Sequence, residues 1–181
     1  MSIEMGKSVP TAVSTEQIAP KIENRSLPVP CPAEIFWSAV GSFLGIGIVS
    51  FLAVHHQLPL LATSFGSSAV LLYAACNAPM AQPRNVLGGH VVSALAGVFI
   101  FQLCGAEWWS YALAVSLAIA GMQLTKTMHP PGGATAFVAV YNQQEFSFVF
   151  TPIALGAALL VLVALLVNNL AKNRKYPEQW W

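Results

Sequence analysis

"KTMHPPGGATAF", residues 126–137, stands between two long apolar runs. Proline disfavours helix at the residue before it, and glycine costs a helix about 1 kcal/mol relative to alanine. The stretch therefore predicts a break, with a short helix from Ala134 onward. It also holds Lys126 and His129, which hydrocarbon penalises. Irregular backbone at membrane depth survives only where protein buries it or water lines it. A break of this kind points to a functional element.

The surrounding composition demands a membrane. Of 181 residues, 56% are hydrophobic and 8% are charged. Soluble domains carry about 25% charged residues. The net charge is +1, so no basic field points to nucleic acid. Cys31, Cys76 and Cys104 show no paired spacing and no zinc pattern, so neither metal nor cofactor is expected. Residues 1–34 hold seven of the charges and read as a soluble tail with a proline-rich, extended end, "LPVPCP". Residues 35–170 form the membrane domain, and 171–181 form a second polar tail.

Six apolar segments follow in order: Ile35–Val54, Leu58–Pro79, Asn85–Cys104, Trp108–Met128, Ala134–Tyr141 and Phe148–Val167. A full span needs roughly 20 residues. The second segment is interrupted by Pro59 and by "TSFGSS" at 63–68, so it reads as an extended lead-in and a helix starting near Gly66. If the second and fifth segments each complete a crossing, every Lys and Arg falls on one side, which is the cytoplasmic side by the positive-inside rule. Both termini then lie there. A count of four helices with two re-entrant segments competes with this topology. The fold class is all-α, a polytopic helix bundle.

The halves resemble one another. "FWS" at 36–38 recurs as "WWS" at 108–110, "SSAVLLY" ending at Tyr73 resembles "TAFVAVY" ending at Tyr141, and "GGHVVSALAG" from Gly88 resembles "GAALLVLVAL" from Gly156. Each half would then be a full helix, a broken segment and another full helix, related by inversion. The two short helices would meet N-terminus to N-terminus near the midplane. Such a point is rich in N–H donors and positive in potential, and suits a small anion. Ser67, Ser68 and Thr135 would add hydroxyls there, Gly132 and Gly133 would let the ligand reach the backbone, and Ala134 would open the second short helix. Lys126 would attract the anion, or simply anchor at the interface. His129 and His90 could donate to the anion or carry a proton. Gln102, Gln123 and Asn77 are candidates for lining a path or bonding between helices. The glycine- and alanine-rich faces suit close helix packing and are compatible with a homo-oligomer.

"HPPGGATA" at 129–136, set between an apolar run and a final span, resembles the HPP family of integral membrane proteins over about residues 33–171. The resemblance makes His129, Pro130, Pro131, Gly132 and Gly133 the family's named element. It implies four spanning helices, nitrite transport of the kind linked to cyanobacteria and chloroplasts, and a bacterial, cyanobacterial-like inner membrane. Nitrate, bicarbonate, formate or chloride would suit a dipole-based site equally. No acid/base dyad or nucleophile triad can be assembled, so an enzyme is not expected. A membrane scaffold or sensor subunit, in which the breaks serve packing alone, is the alternative.

Overall fold

The computed structural model describes residues 30–180, apart from 59 and 61. The expected soluble tail lies outside the described residues as far as position 29. Every regular element among the described residues is helical: α1 (Pro32–His55), α2 (Ser64–Ala69) continued by a π-helical turn (Val70–Ala74), a single 3-10 turn (Pro79–Ala81), α3 (Pro83–Cys104), α4 (Trp108–Thr125), α5 (Pro131–Tyr141) and α6 (Leu155–Leu170) preceded by a second π-helical turn (Val149–Ala154). Pro32–His55, Pro83–Cys104 and Val149–Leu170 are long and apolar enough to cross a membrane. At 18 residues, α4 spans about 27 Å. α2 with its π turn, and likewise α5, reach only about 16 Å at 1.5 Å per residue, half of a hydrocarbon core.

Local chemistry moves several expected boundaries. α1 starts at Pro32 because a proline at the first helical position has no N–H to satisfy, and Glu34 Oε2 accepts from the Cys31 amide at 3.0 Å. The same rule starts α5 at Pro131, not at Ala134, so Gly132 and Gly133 lie inside its first turn. α2 starts at Ser64, two residues ahead of the expected Gly66. α4 stops at Thr125 because Lys126 turns to φ 56°, a left-handed helix terminator.

The third helix of each half packs on the first two of the other half. α3 packs against α4 and α5, while α6 packs against α1 and against α2 with its π turn. α2 and α5 also touch each other, and α3 packs on α6 and its π turn. The two halves thus repeat one packing pattern, as the resemblance of their sequences predicts.

Glycines set the approach distances. A Cβ at Gly41 would stand 2.6 Å from the Tyr73 ring, and Gly45 lies under the Tyr73 hydroxyl, so α1 must present glycine where that ring rests. Gly156 of α6 receives Phe65 of α2 in the same way.

The polar end of α6 ties the bundle. The last carbonyls of a helix lack partners within it. Asn168 Nδ2 donates to Leu72 O at 2.9 Å, and Arg174 Nη1 donates to Tyr73 O at 2.8 Å, which satisfies the end of the first half-helix. Arg174 Nη2 also reaches Glu34 O and Ser38 Oγ, both at 2.8 Å, and so binds α1. The C-terminal tail is docked: Tyr176 is buried, its hydroxyl donates to Ala81 O at 2.8 Å, and burial pushes its phenol pKa up. Tyr176→Phe leaves that carbonyl unbonded, which costs about 1 kcal/mol. Thermal unfolding in detergent is expected about 2–4 °C lower.

Candidate functional site

α2 and α5 run in opposite directions and overlap by their first turns. Ser64 of α2 meets Thr135 of α5 at 2.9 Å between hydroxyl oxygens. One turn on, Ser68 Oγ lies 2.9 Å from Nε2 of His129, which immediately precedes α5. α3 contributes His90 to the same point. Its Nε2 is 2.7 Å from Ser68 Oγ, and its Nδ1 is 2.8 Å from Thr135 Oγ1. The two imidazoles pack edge to face with centroids 4.8 Å apart, and Phe65 covers His90 from the other side at 5.4 Å. His90, His129 and Ser68 have no exposed surface; Ser64 and Thr135 have almost none.

Helix α3 is shaped to receive the break. A Cβ at Gly89 would stand 2.5 Å from His129 Cβ and 2.8 Å from Thr127 O, and one at Gly97 would stand 2.5 Å from Ala136 O. Across the contact, a Cβ at Gly132 would stand 2.5 Å from Ser93 Oγ. Glycine on both sides brings the two backbones together. Arg84 and Asn85, at the start of α3, hold the lead-in by donating to Thr125 O at 3.0 Å and to Met128 O at 2.9 Å. His129 Nδ1 faces Met80 O at 2.9 Å, which joins the break to the connection before α3. Ser93 Oγ is buried against Gly132 with no hydrogen-bond partner among the described residues.

The structure unites three of the expected site residues, Ser68, His129 and Thr135, and His90 with them. It disperses others. Ser67 is exposed and, with Pro130, Pro131 and Ala134, lines an apolar groove of about 410 Å³ on the outer side of the crossing. Lys126 is exposed at the end of α4. Gly133 faces open space: among the described residues, a Cβ there meets no atom within 4 Å. The amides expected to greet a ligand are engaged, with Gly132 N donating to His129 O at 2.8 Å and Gly133 N donating to Pro130 O at 3.1 Å. Proline in the lead-in folds those carbonyls back over the helix start. Gln102, Gln123 and Asn77 are exposed and stand apart from the cluster, while His55 at the end of α1 and His56 just after it are exposed as well.

Four participants escape a reading by residue type. Ser64 looks like a cap, yet its hydroxyl bonds Thr135. The Met80 carbonyl has no sequence signature. Gly89 carries a signal, since Gly89 and Gly97 recur on one face of an apolar helix containing a histidine. Gln82 buries its amide to hold the C-terminal tail, with Oε1 accepting from Glu178 N at 2.9 Å.

A helical membrane protein with two half-helices crossing at a buried hydroxyl–imidazole cluster is the class this architecture defines. The family model for the HPP transmembrane region matches residues 27–177, and the chain belongs to that family. It is 44% identical over 160 residues to a transmembrane protein of Dictyostelium discoideum, covering 82% of this chain and 51% of the relative. A second transmembrane protein of that organism is 40% identical over 167 residues, covering 85% of this chain and 58% of the relative. The chain thus spans little more than half the length of these relatives. No solved structure matches it.

Proposed function

We propose that the protein moves a small monovalent anion, nitrite foremost, across the membrane through the crossing of α2 and α5. The observation that carries this reading is the buried cluster of Ser64, Ser68, His90, His129 and Thr135 at the meeting of two half-helix N-termini. Hydroxyl and imidazole donors, backed by the positive ends of two helix dipoles, are the groups that hold an anion away from water. Ser93 adds an uncommitted hydroxyl beside the first turn of α5. The cluster is closed upon itself, so the anion enters by parting α2 from α5, as in a carrier.

The choice of nitrite rests on the family resemblance, because the chemistry of the cluster alone suits any small anion. The connections carrying Arg84 and Lys126 and the C-terminal tail with Lys172 and Lys175 meet at one end of the bundle, where Met80 O and Ala81 O receive His129 and Tyr176. The positive-inside rule makes that end cytoplasmic.

The test is uptake of nitrite into proteoliposomes of the purified, monodisperse protein. Uptake well above empty vesicles is expected, and its absence overturns the reading. The second reading is a membrane scaffold or sensor, favoured by the complete internal hydrogen bonding of the cluster. Thr135→Cys separates the two. Reaction with a small water-soluble thiol reagent, faster when nitrite is present, supports a pathway, and inertness supports a scaffold.

A further inference from the structure

Proton accounting within the cluster goes one step beyond the transport reading and rests on it. The Met80 carbonyl can only accept, so His129 Nδ1 carries a hydrogen. Neutral His129 then presents a lone pair at Nε2, and Ser68 donates to it. With its single hydrogen spent, Ser68 oxygen accepts from His90 Nε2–H. Neutral His90 therefore has a bare Nδ1, which accepts from Thr135, and Thr135 then withdraws the hydrogen it otherwise donates to Ser64. Every remaining hydrogen bond points the same way, from Thr135 to the Met80 carbonyl.

A second consistent arrangement contains one more proton. If Thr135 donates to Ser64, Thr135 oxygen must accept from His90 Nδ1–H. Both imidazoles then hold a hydrogen at Nδ1, and both turn Nε2 toward Ser68. The lone Ser68 hydrogen satisfies one Nε2, and the other must be protonated. The additional proton sits on His90 or on His129, and it exchanges between them as the charged ring passes its Nε2 proton to the Ser68 oxygen while Ser68 passes its own hydrogen to the other Nε2, so that Ser68 stays a neutral hydroxyl. Ser68 also lies 3.2 Å from Ser64 O, a resting place for its hydrogen during the exchange.

Among the described residues, the groups facing the pair contain no compensating charge. α2 and its π turn offer Ser64, Ser68 and Phe65; α5 offers Thr135; the connection before α3 offers only the Met80 carbonyl. The side chains bonded to either imidazole are Ser68 and Thr135, and neither is charged. A buried cation without a partner is costly. A monovalent anion at the crossing supplies the missing charge, and the proton supplies the anion's.

We propose that the Ser68-bridged imidazole pair binds one exchangeable proton and that the protein carries it together with one monovalent anion. The proton is taken from water on the loading side and released to water on the other, and the net charge moved per cycle is zero. Ser68, His90 and His129 are the coupling residues.

The test follows labelled nitrite uptake and lumenal pH together in proteoliposomes with a pH-sensitive dye, against empty vesicles to subtract nitrous acid leak, with the potential clamped by potassium and valinomycin. One proton per nitrite, and a rate independent of the clamped potential, are expected. Uptake that is driven by the potential without acidification overturns the coupling and leaves the transport reading intact. No uptake at all overturns both. His90→Gln and His129→Gln keep amide donors and acceptors but cannot bind a proton. Each variant, shown monodisperse, should acidify the lumen at least tenfold more slowly. Wild-type acidification in the double variant overturns the assignment to these residues.

Discussion

Gly89→Ala is expected to reduce nitrite uptake to the level of empty vesicles and to lower thermal stability sharply, although it adds one methyl group. The methyl would stand 2.5 Å from His129 Cβ, 2.8 Å from Thr127 O and 3.4 Å from His129 N. Two of those three atoms are backbone, so no flexible side chain can swing aside. Overpacking of this kind costs about 1–3 kcal/mol, occasionally more. Relief requires the 127–129 segment to move away from α3, which separates His129 from His90 and Ser68. Gly133→Ala is the opposite case in the same motif. Its methyl meets nothing within 4 Å, and alanine in a helical turn gains about 0.5–1 kcal/mol over glycine. That variant should melt a few degrees higher and transport normally. Thermal unfolding and uptake measured on both variants decide the point. Wild-type behaviour of Gly89→Ala would mean that the break does not dock on α3 at this distance.

The contrast between these glycines shows what the sequence discloses. Two breaks, four longer helices and the resemblance of the halves are written in proline and glycine positions and in the lengths of apolar runs, because a membrane restricts backbone choices so severely. His90, Ser68, Thr135 and His129 could be nominated because polar groups in apolar runs are costly to keep. The roles of Gly132 and Gly133 could not be separated. Both follow Pro131, and only the helix packed alongside decides that Gly132 faces Ser93 while Gly133 faces open space. Ser67 and Ser68 are adjacent and chemically identical, yet a helix turns successive residues by about 100°, so one reaches the imidazoles and the other lines the outer groove. The Met80 carbonyl could not be found from residue type, since every residue has one. The amide donors expected at α5 were engaged by His129 and Pro130 carbonyls, a consequence of turn geometry that a helix-dipole argument leaves out.

His129→Ala and Ser68→Ala are each expected to lower uptake by at least a hundredfold, and to do so without adding. Removing His129 leaves Met80 O and the Ser68 hydroxyl without their partner at a buried crossing. Each orphaned group costs about 1–3 kcal/mol. Removing Ser68 takes away the atom that lies within 2.7 Å and 2.9 Å of the two Nε2 atoms, so both rings lose their shared partner. In the double variant the Ser68 hydroxyl is no longer present to be orphaned by loss of His129. Its stability should therefore exceed the sum of the single effects by about 0.5–3 kcal/mol, the range found for residues in one hydrogen-bond network. Ser68→Thr keeps the hydroxyl but adds a methyl in a buried position, and it should recover part of the stability while uptake stays low. Lys126→Gln alters an exposed side chain at the end of α4 and should leave stability within about 0.5 kcal/mol of wild type. Unfolding of the four variants and the double variant in one detergent, with uptake from matched protein amounts, provides the comparison. Strict additivity of His129→Ala and Ser68→Ala would mean that the two side chains do not share a hydrogen bond, and the crossing of α2 and α5 would then rest on packing and on the Ser64–Thr135 bond.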